Sequence, residues 1–119
     1  MNKQSFGFSN TLNTEVFLYQ IFNDGGTIVK ILSLGAAIQA IHLPWSRDMG
    51  SKGSTNVVLG YSNVEDYEIN DCYIGVAVGR VAGRISHGRF QINDNHYEIT
   101  KNIGHHCLHG GRLYTFIFL

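Results

Sequence analysis

The chain has 119 residues, nine of them Lys or Arg and nine Asp or Glu, so its formal net charge is zero; 44% of it is hydrophobic and 15% charged. That size admits one domain or part of a larger one, and the composition is that of an ordinary globular protein. The charge balance argues against a nucleic-acid binder and against a polybasic membrane-surface protein, since both need an excess of Lys and Arg.

The first residues, Met1-Asn2-Lys3-Gln4-Ser5, are polar, and no apolar signal-peptide core follows them. No apolar run approaches the roughly 20 residues of a membrane-spanning helix. A cytoplasmic location is the expectation. Cys72 and Cys107 are far apart and form no C-x-x-C pair, so they read as reduced, buried structural thiols.

Glycine is abundant, at 14 residues, and proline occurs once. Short apolar runs separated by turn residues predict β structure. Glu15 to Phe22 reads as a strand closed by Asn23-Asp24-Gly25-Gly26, a turn cluster whose residues tolerate positive φ. Thr27 to Leu32 resumes an alternating, β-branched pattern, which makes the two runs a hairpin. Gly35 to Leu43 is a third strand candidate, ended by Pro44-Trp45. Arg47 to Ser54 is polar and Gly/Ser-rich, a loop. Val57 to Tyr61 reads as another short strand. Ser62 to Tyr67 fits one capped helical turn, with Ser62 as N-cap and Glu65 three residues on. Arg89 to Ile92, Asn93-Asp94-Asn95 and His96 to Thr100 form a second hairpin, with Phe90, Ile92, Tyr97 and Ile99 alternating as on a half-buried strand. The fold class is all-β.

Two segments carry candidate chemistry. In Gly79-Arg80-Val81-Ala82-Gly83-Arg84-Ile85 the two glycines continue a spacing of four residues that begins at Gly75. Two arginines exclude a membrane helix face, and no phosphate-loop spacing is present. Glycines permit close approach of a second chain or a ligand. Each guanidinium is either an ion-pair partner or a fork of donors for ligand hydroxyls and carboxylates. In Gly104 to Gly111, His105, Cys107 and His109 would share one face of an extended chain, as zinc ligands could. No second ligand pair accompanies them, so no metal site is assigned. His105 and His106 read as loop polarity. A histidine followed by two glycines can be presented into a cleft, where it exchanges hydrogen bonds with a sugar oxygen.

The blocks Asn56-Val57-Val58-Leu59-Gly60-Tyr61, Glu65-Asp66-Tyr67, Gly79 to Ile85, Gly88-Arg89-Phe90 and Leu108-His109-Gly110-Gly111 stand in the order seen in aldose 1-epimerases. The chain resembles that family over about residues 12 to 111. The resemblance implies the N-terminal part of a large antiparallel β-sandwich that interconverts the α and β anomers of hexoses such as galactose and glucose, without metal or nucleotide cofactor. It implies that Arg84 and His109 line the sugar site. Many family members have Asn where Gly83 stands, so one sugar contact is missing here.

The family's proton-transfer pair, a glutamate base at the C1 hydroxyl and a histidine acid at the ring oxygen, falls downstream of L-H-G-G. No catalytic residue is therefore assigned in this chain, which is expected to be inactive alone. A catalytically dead carbohydrate-binding fragment and a non-functional remnant are the alternatives. Residues 1–111 read as the family portion, and 112–119 as a divergent apolar tail left by truncation or frameshift. Phe116-Ile117-Phe118-Leu119 and the open strand edges of a partial sandwich predict self-association.

Overall fold

A computed structural model describes residues 1–46, 52–79 and 81–111. Most of the loop expected after Ser46, Arg80 and the tail over 112–119 lie outside the described residues. The chain divides into two compact units, with the boundary between Val76 and Ala77. Both are antiparallel β structure, as the alternating patterns require. Among the described residues, no helix is long and apolar enough to cross a membrane.

The first unit is a five-stranded meander in the order β1 (Asn2–Ser9), β2 (Thr14–Phe22), β3 (Ile28–Leu32), β4 (Ile38–Ser46) and β5 (Lys52–Asn56). The expected hairpin at Asn23–Gly26 is there. Asn23 Oδ1 accepts from the Thr27 N–H at 2.9 Å, and the register runs from Phe22↔Ile28 to Leu18↔Leu32. That register puts Val16, Leu18, Leu32 and Ala40 on one buried face. The opposite face carries Phe17, Tyr19, Ile21, Val29, Ile31 and Ile41, none of them buried.

Strand β1 has no counterpart in the sequence reading, because Asn2 to Ser5 are polar and exposed. Its pairing with β2 makes it a strand, helped by the Lys3 ammonium, which sits 3.6 Å from the centre of the Phe17 ring. Strand β4 begins later than expected and runs through Pro44. The β3 pairing ends at Ile28↔His42, so beyond that rung β4 has one neighbour, where a missing N–H is tolerated. Lys52 to Ser54 belong to β5, not to a loop. Val57 to Tyr61 is irregular, not a strand. Asn56 Oδ1 takes the N–H groups of Ile41 (3.0 Å) and Val58 (3.3 Å), and this side-chain acceptor ends the ladder.

The helix α1 spans Val64–Ile69. Its N-cap is Asn63, one residue later than expected, whose Oδ1 accepts from the Asp66 N–H at 2.8 Å. Val64 seats against Gly7 of β1. Tyr67, 1% exposed, meets Phe6 and Tyr61 edge-on, and its hydroxyl accepts from the Tyr61 N–H at 3.1 Å. Burial pushes the Tyr67 phenol above its ordinary pKa. At the other end of the helix Glu68 accepts from the fully buried Ser9 hydroxyl and the Thr11 N–H, tying α1 to the β1–β2 turn. Cys72 is exposed, against expectation, because it lies in the turn after the helix.

In the second unit a two-rung ladder joins β6 (Arg84–Ile85) to β9 (Cys107–Leu108), and β7 (Arg89–Ile92) pairs with β8 (Asn95–Glu98). A short 3-10 turn, Ser86–Gly88, links β6 to β7. The second expected hairpin is present, with Asn93 at φ +52 in its turn. Phe90, Ile92 and Tyr97 are exposed rather than half-buried; Phe90 and Tyr97 stack on each other at 5.1 Å. Cys107 is fully buried.

Two stability predictions follow from the first unit. A Cβ at residue 60 would stand 2.1 Å from the Gln39 carbonyl oxygen, so Gly60→Ala must move backbone and should cost about 1–3 kcal/mol in denaturant unfolding. An unchanged midpoint would contradict that packing. The Ser9 hydroxyl, ahead of the Thr11 N–H, holds the Glu68 carboxyl below its ordinary pKa. A depressed carboxylate pKa stabilises the fold above the unfolded value, and the gain is lost as pH falls through the folded one. The midpoint gap between the parent and Glu68→Gln should therefore be full at neutral pH, begin to close as pH falls below the ordinary glutamate value of about 4.3, and go on closing through the depressed folded value. A pH-independent gap would show that the charge is irrelevant.

Candidate functional site

The segments singled out in the sequence meet in the β6·β9 ladder. Arg84 stands opposite Leu108 and Ile85 opposite Cys107, which places His109 directly across from Gly83. These two residues are bonded in both directions. The His109 N–H donates to the Gly83 carbonyl at 3.0 Å, and the Gly83 N–H donates to His109 Nδ1 at 3.2 Å. A strand pleat alone would leave the His109 side chain on the Ile85 and Cys107 side. Its φ of +54 takes it out of the pleat, a conformation histidine adopts more readily than most residues.

The imidazole bond has a chemical consequence. A ring nitrogen that accepts an amide N–H carries no proton, so neutral His109 holds its proton on Nε2 and presents a donor there. Arg84 is exposed, and among the described residues it forms no ion pair. Arg80 lies outside the described residues. Among the described residues, its chain neighbours aside, Gly83 at φ +81 has no atom within 4 Å of where a Cβ would stand.

The neighbouring histidines divide. His105 is exposed, as loop polarity predicts. His106 departs from that reading, since its Nδ1 accepts from the His87 N–H at 3.2 Å and its ring lies 5.3 Å from that of His87. Asn102, absent from the sequence reading, grips both polar groups of Leu108. Its Nδ2 donates to the Leu108 carbonyl at 2.9 Å and its Oδ1 accepts from the Leu108 N–H at 2.7 Å. No sequence signal marks either role, because both depend on partners that only the fold supplies. Among the described residues no group of three His, Cys, Asp or Glu is arranged to hold a metal ion.

An open depression of about 450 Å³ lies elsewhere, on the β7·β8 hairpin, lined by Arg89, Phe90, Gln91, His96, Tyr97 and Glu98. Neither Arg84 nor His109 borders it. Its charges are engaged with each other: Glu98 takes Lys101 at 2.9 Å and Arg89 at 3.4 Å, and its carboxyl is held below the ordinary pKa by Lys101 first. The candidate site is identified by its chemistry and not by concavity.

The sequence matches the aldose 1-epimerase family over residues 18–114. An aldose 1-epimerase of Streptococcus thermophilus is 38% identical over 89 residues, 75% of this chain and 24% of the relative. A galactose mutarotase of Mus musculus is 41% identical over 83 residues, 70% of this chain and 23% of the relative. The solved structure of a galactose 1-epimerase from Lactobacillus acidophilus superposes with a TM-score of 0.69 at 26% identity, covering 93% of this chain and 31% of that one. The chain thus spans about a quarter of the length of these two curated relatives. With the antiparallel fold and the ordered motifs, these matches establish that the chain belongs to the aldose 1-epimerase family.

Proposed function

We propose that this chain forms the arginine–histidine wall of a hexose-binding site, the part of an aldose 1-epimerase that holds the sugar while proton transfer opens and recloses its ring. One observation carries the reading. The reciprocal bonding of Gly83 and His109 brings the G-R-x-x-x-R-I arginine beside the L-H-G-G histidine and fixes that histidine as an Nε2–H donor. A guanidinium and an imidazole N–H suit the hydroxyl and ring oxygens of a neutral sugar. They would also stabilise negative charge developing near the ring oxygen. Mutarotation needs a general base and a general acid in addition. On our reading both belong downstream of L-H-G-G, so residues 1–119 alone should bind hexose weakly without accelerating anomer exchange.

Galactose titration followed by NMR, with polarimetry of freshly dissolved α-galactose alongside, tests this. The parent chain should show saturable shifts at the amides of Gly83, Arg84 and His109 and no acceleration over buffer. Arg84→Ala and His109→Ala should each weaken binding about tenfold, the equivalent of one lost hydrogen bond to a charged or polar donor. Acceleration by the parent would overturn the binding-only reading, and an absence of shifts would overturn sugar binding itself.

We also infer that the chain self-associates. The apolar face of Phe17, Tyr19, Ile21, Val29, Ile31 and Ile41, half-buried or exposed among the described residues, and the two edges β1 and β5 support this. Sedimentation velocity should show species that grow with concentration; a monodisperse monomer over the whole range would contradict it.

A further inference from the structure

We propose that Asn102 and His106 are positioning residues that set the aim of His109 and Arg84. The proposal rests on the sugar-site reading of that pair and adds residues that the reading does not use.

A two-rung antiparallel ladder is too short to hold its own geometry. In such a ladder successive residues present their backbone groups to opposite sides. His109 turns its N–H toward Gly83, so Leu108, one residue earlier, turns its N–H and carbonyl away from β6. Among the described residues no third strand meets them. Instead the Asn102 carboxamide takes both, at 2.7 and 2.9 Å, and stands where a neighbouring strand would stand. The residue so gripped is the one opposite Arg84 and immediately before His109.

Asn102 is itself fixed. Its N–H donates to the His106 carbonyl at 3.1 Å, and Ile103 and His106 bond to each other across the turn at Gly104. From that turn the His106 imidazole reaches the far end of the ladder, where Nδ1 accepts the His87 N–H. The ladder is therefore closed at both ends by an imidazole Nδ1 accepting a β6-side amide, His109 on Gly83 and His106 on His87. Its outer edge is closed by Asn102. A shift at either Asn102 or His106 is passed to Arg84 and His109 through one or two residues of backbone.

The test uses three variants. Asn102→Asp keeps size and acceptor but turns an oxygen on the Leu108 carbonyl. His106→Leu removes the acceptor for His87, and His106→Asn restores an acceptor at nearly the same place. Long-range proton–nitrogen spectra of the imidazoles report the His109 tautomer without any sugar present, and galactose titration reports affinity. Asn102→Asp and His106→Leu should move His109 from a single Nε2–H form to a mixture of tautomers and weaken galactose binding about tenfold, the equivalent of one lost hydrogen bond. His106→Asn should match the parent in both readouts. Unchanged amide signals from β1 to β5 show that the first unit stays folded. An unchanged His109 tautomer in Asn102→Asp and His106→Leu would overturn the proposal, as would a His106→Asn variant as damaged as His106→Leu. A parent that fails to bind galactose would overturn the sugar-site reading alone, since the tautomer comparison decides the positioning roles without sugar.

Discussion

The reciprocal hydrogen bonding of Gly83 and His109 is the constraint on which the site depends. It joins segments 26 residues apart, brings the arginine motif to the histidine motif, and selects the protonated nitrogen of the histidine, all through two bonds. Those bonds survive only while the short ladder beside them keeps its register. The segment from Asn102 to His109 provides for that through its own side chains: a carboxamide serves as a strand edge and two imidazoles serve as end caps. Polar residues here replace the backbone partners that a wider sheet would supply, which is why a loop rich in His and Asn can hold a binding geometry.

The first unit obeys a different logic. Its order comes from burial: Val16, Leu18, Leu32, Ala40, Val64 and Tyr67 are excluded from water, and helix α1 is pinned at one end by the Asn63 cap and at the other by Glu68. Both faces of its sheet are nonetheless apolar. An antiparallel sheet with one wet face alternates apolar with polar residues, whereas β2 alternates buried Val16 and Leu18 with Phe17, Tyr19 and Ile21. Such a strand pattern belongs to a sheet with layers on both sides, as in a sandwich. The fold class and this second apolar face therefore have one origin in the sequence of β2 and its neighbours.

How much of this could be read in advance depended on whether the deciding partner was local. Both hairpins were foreseen, because Asn23–Gly26 and Asn93–Asn95 encode their turns within a few residues. Arg84 and His109, the residues proposed for the sugar site, were singled out by ordered family motifs. Strand β1 was invisible because its polar residues are organised by β2 and by the Lys3 ammonium over Phe17. Pro44 was read as a stop although the strand has one free side there, and the Val57–Tyr61 strand was dissolved by the Asn56 side chain. The helix cap moved from Ser62 to Asn63, two residues equally able to cap. Cys72 was misread, and Asn102 and His106 were missed, because burial and bonding partners are properties of the fold.

Gly83 shows how a departure from the family pattern is absorbed. Its φ of +81 lies where glycine is unstrained and where asparagine is among the few side-chain-bearing residues readily accommodated. Both residues therefore deliver the same backbone N–H to His109 Nδ1 and the same carbonyl to the His109 N–H. Among the described residues, chain neighbours aside, nothing lies within 4 Å of a Cβ at Gly83, so an asparagine side chain there would fill no core. Exchanging it for hydrogen leaves the bonds of the ladder as they are. The backbone role and the side-chain role at this position are separable, and this chain keeps the one on which the aim of His109 rests.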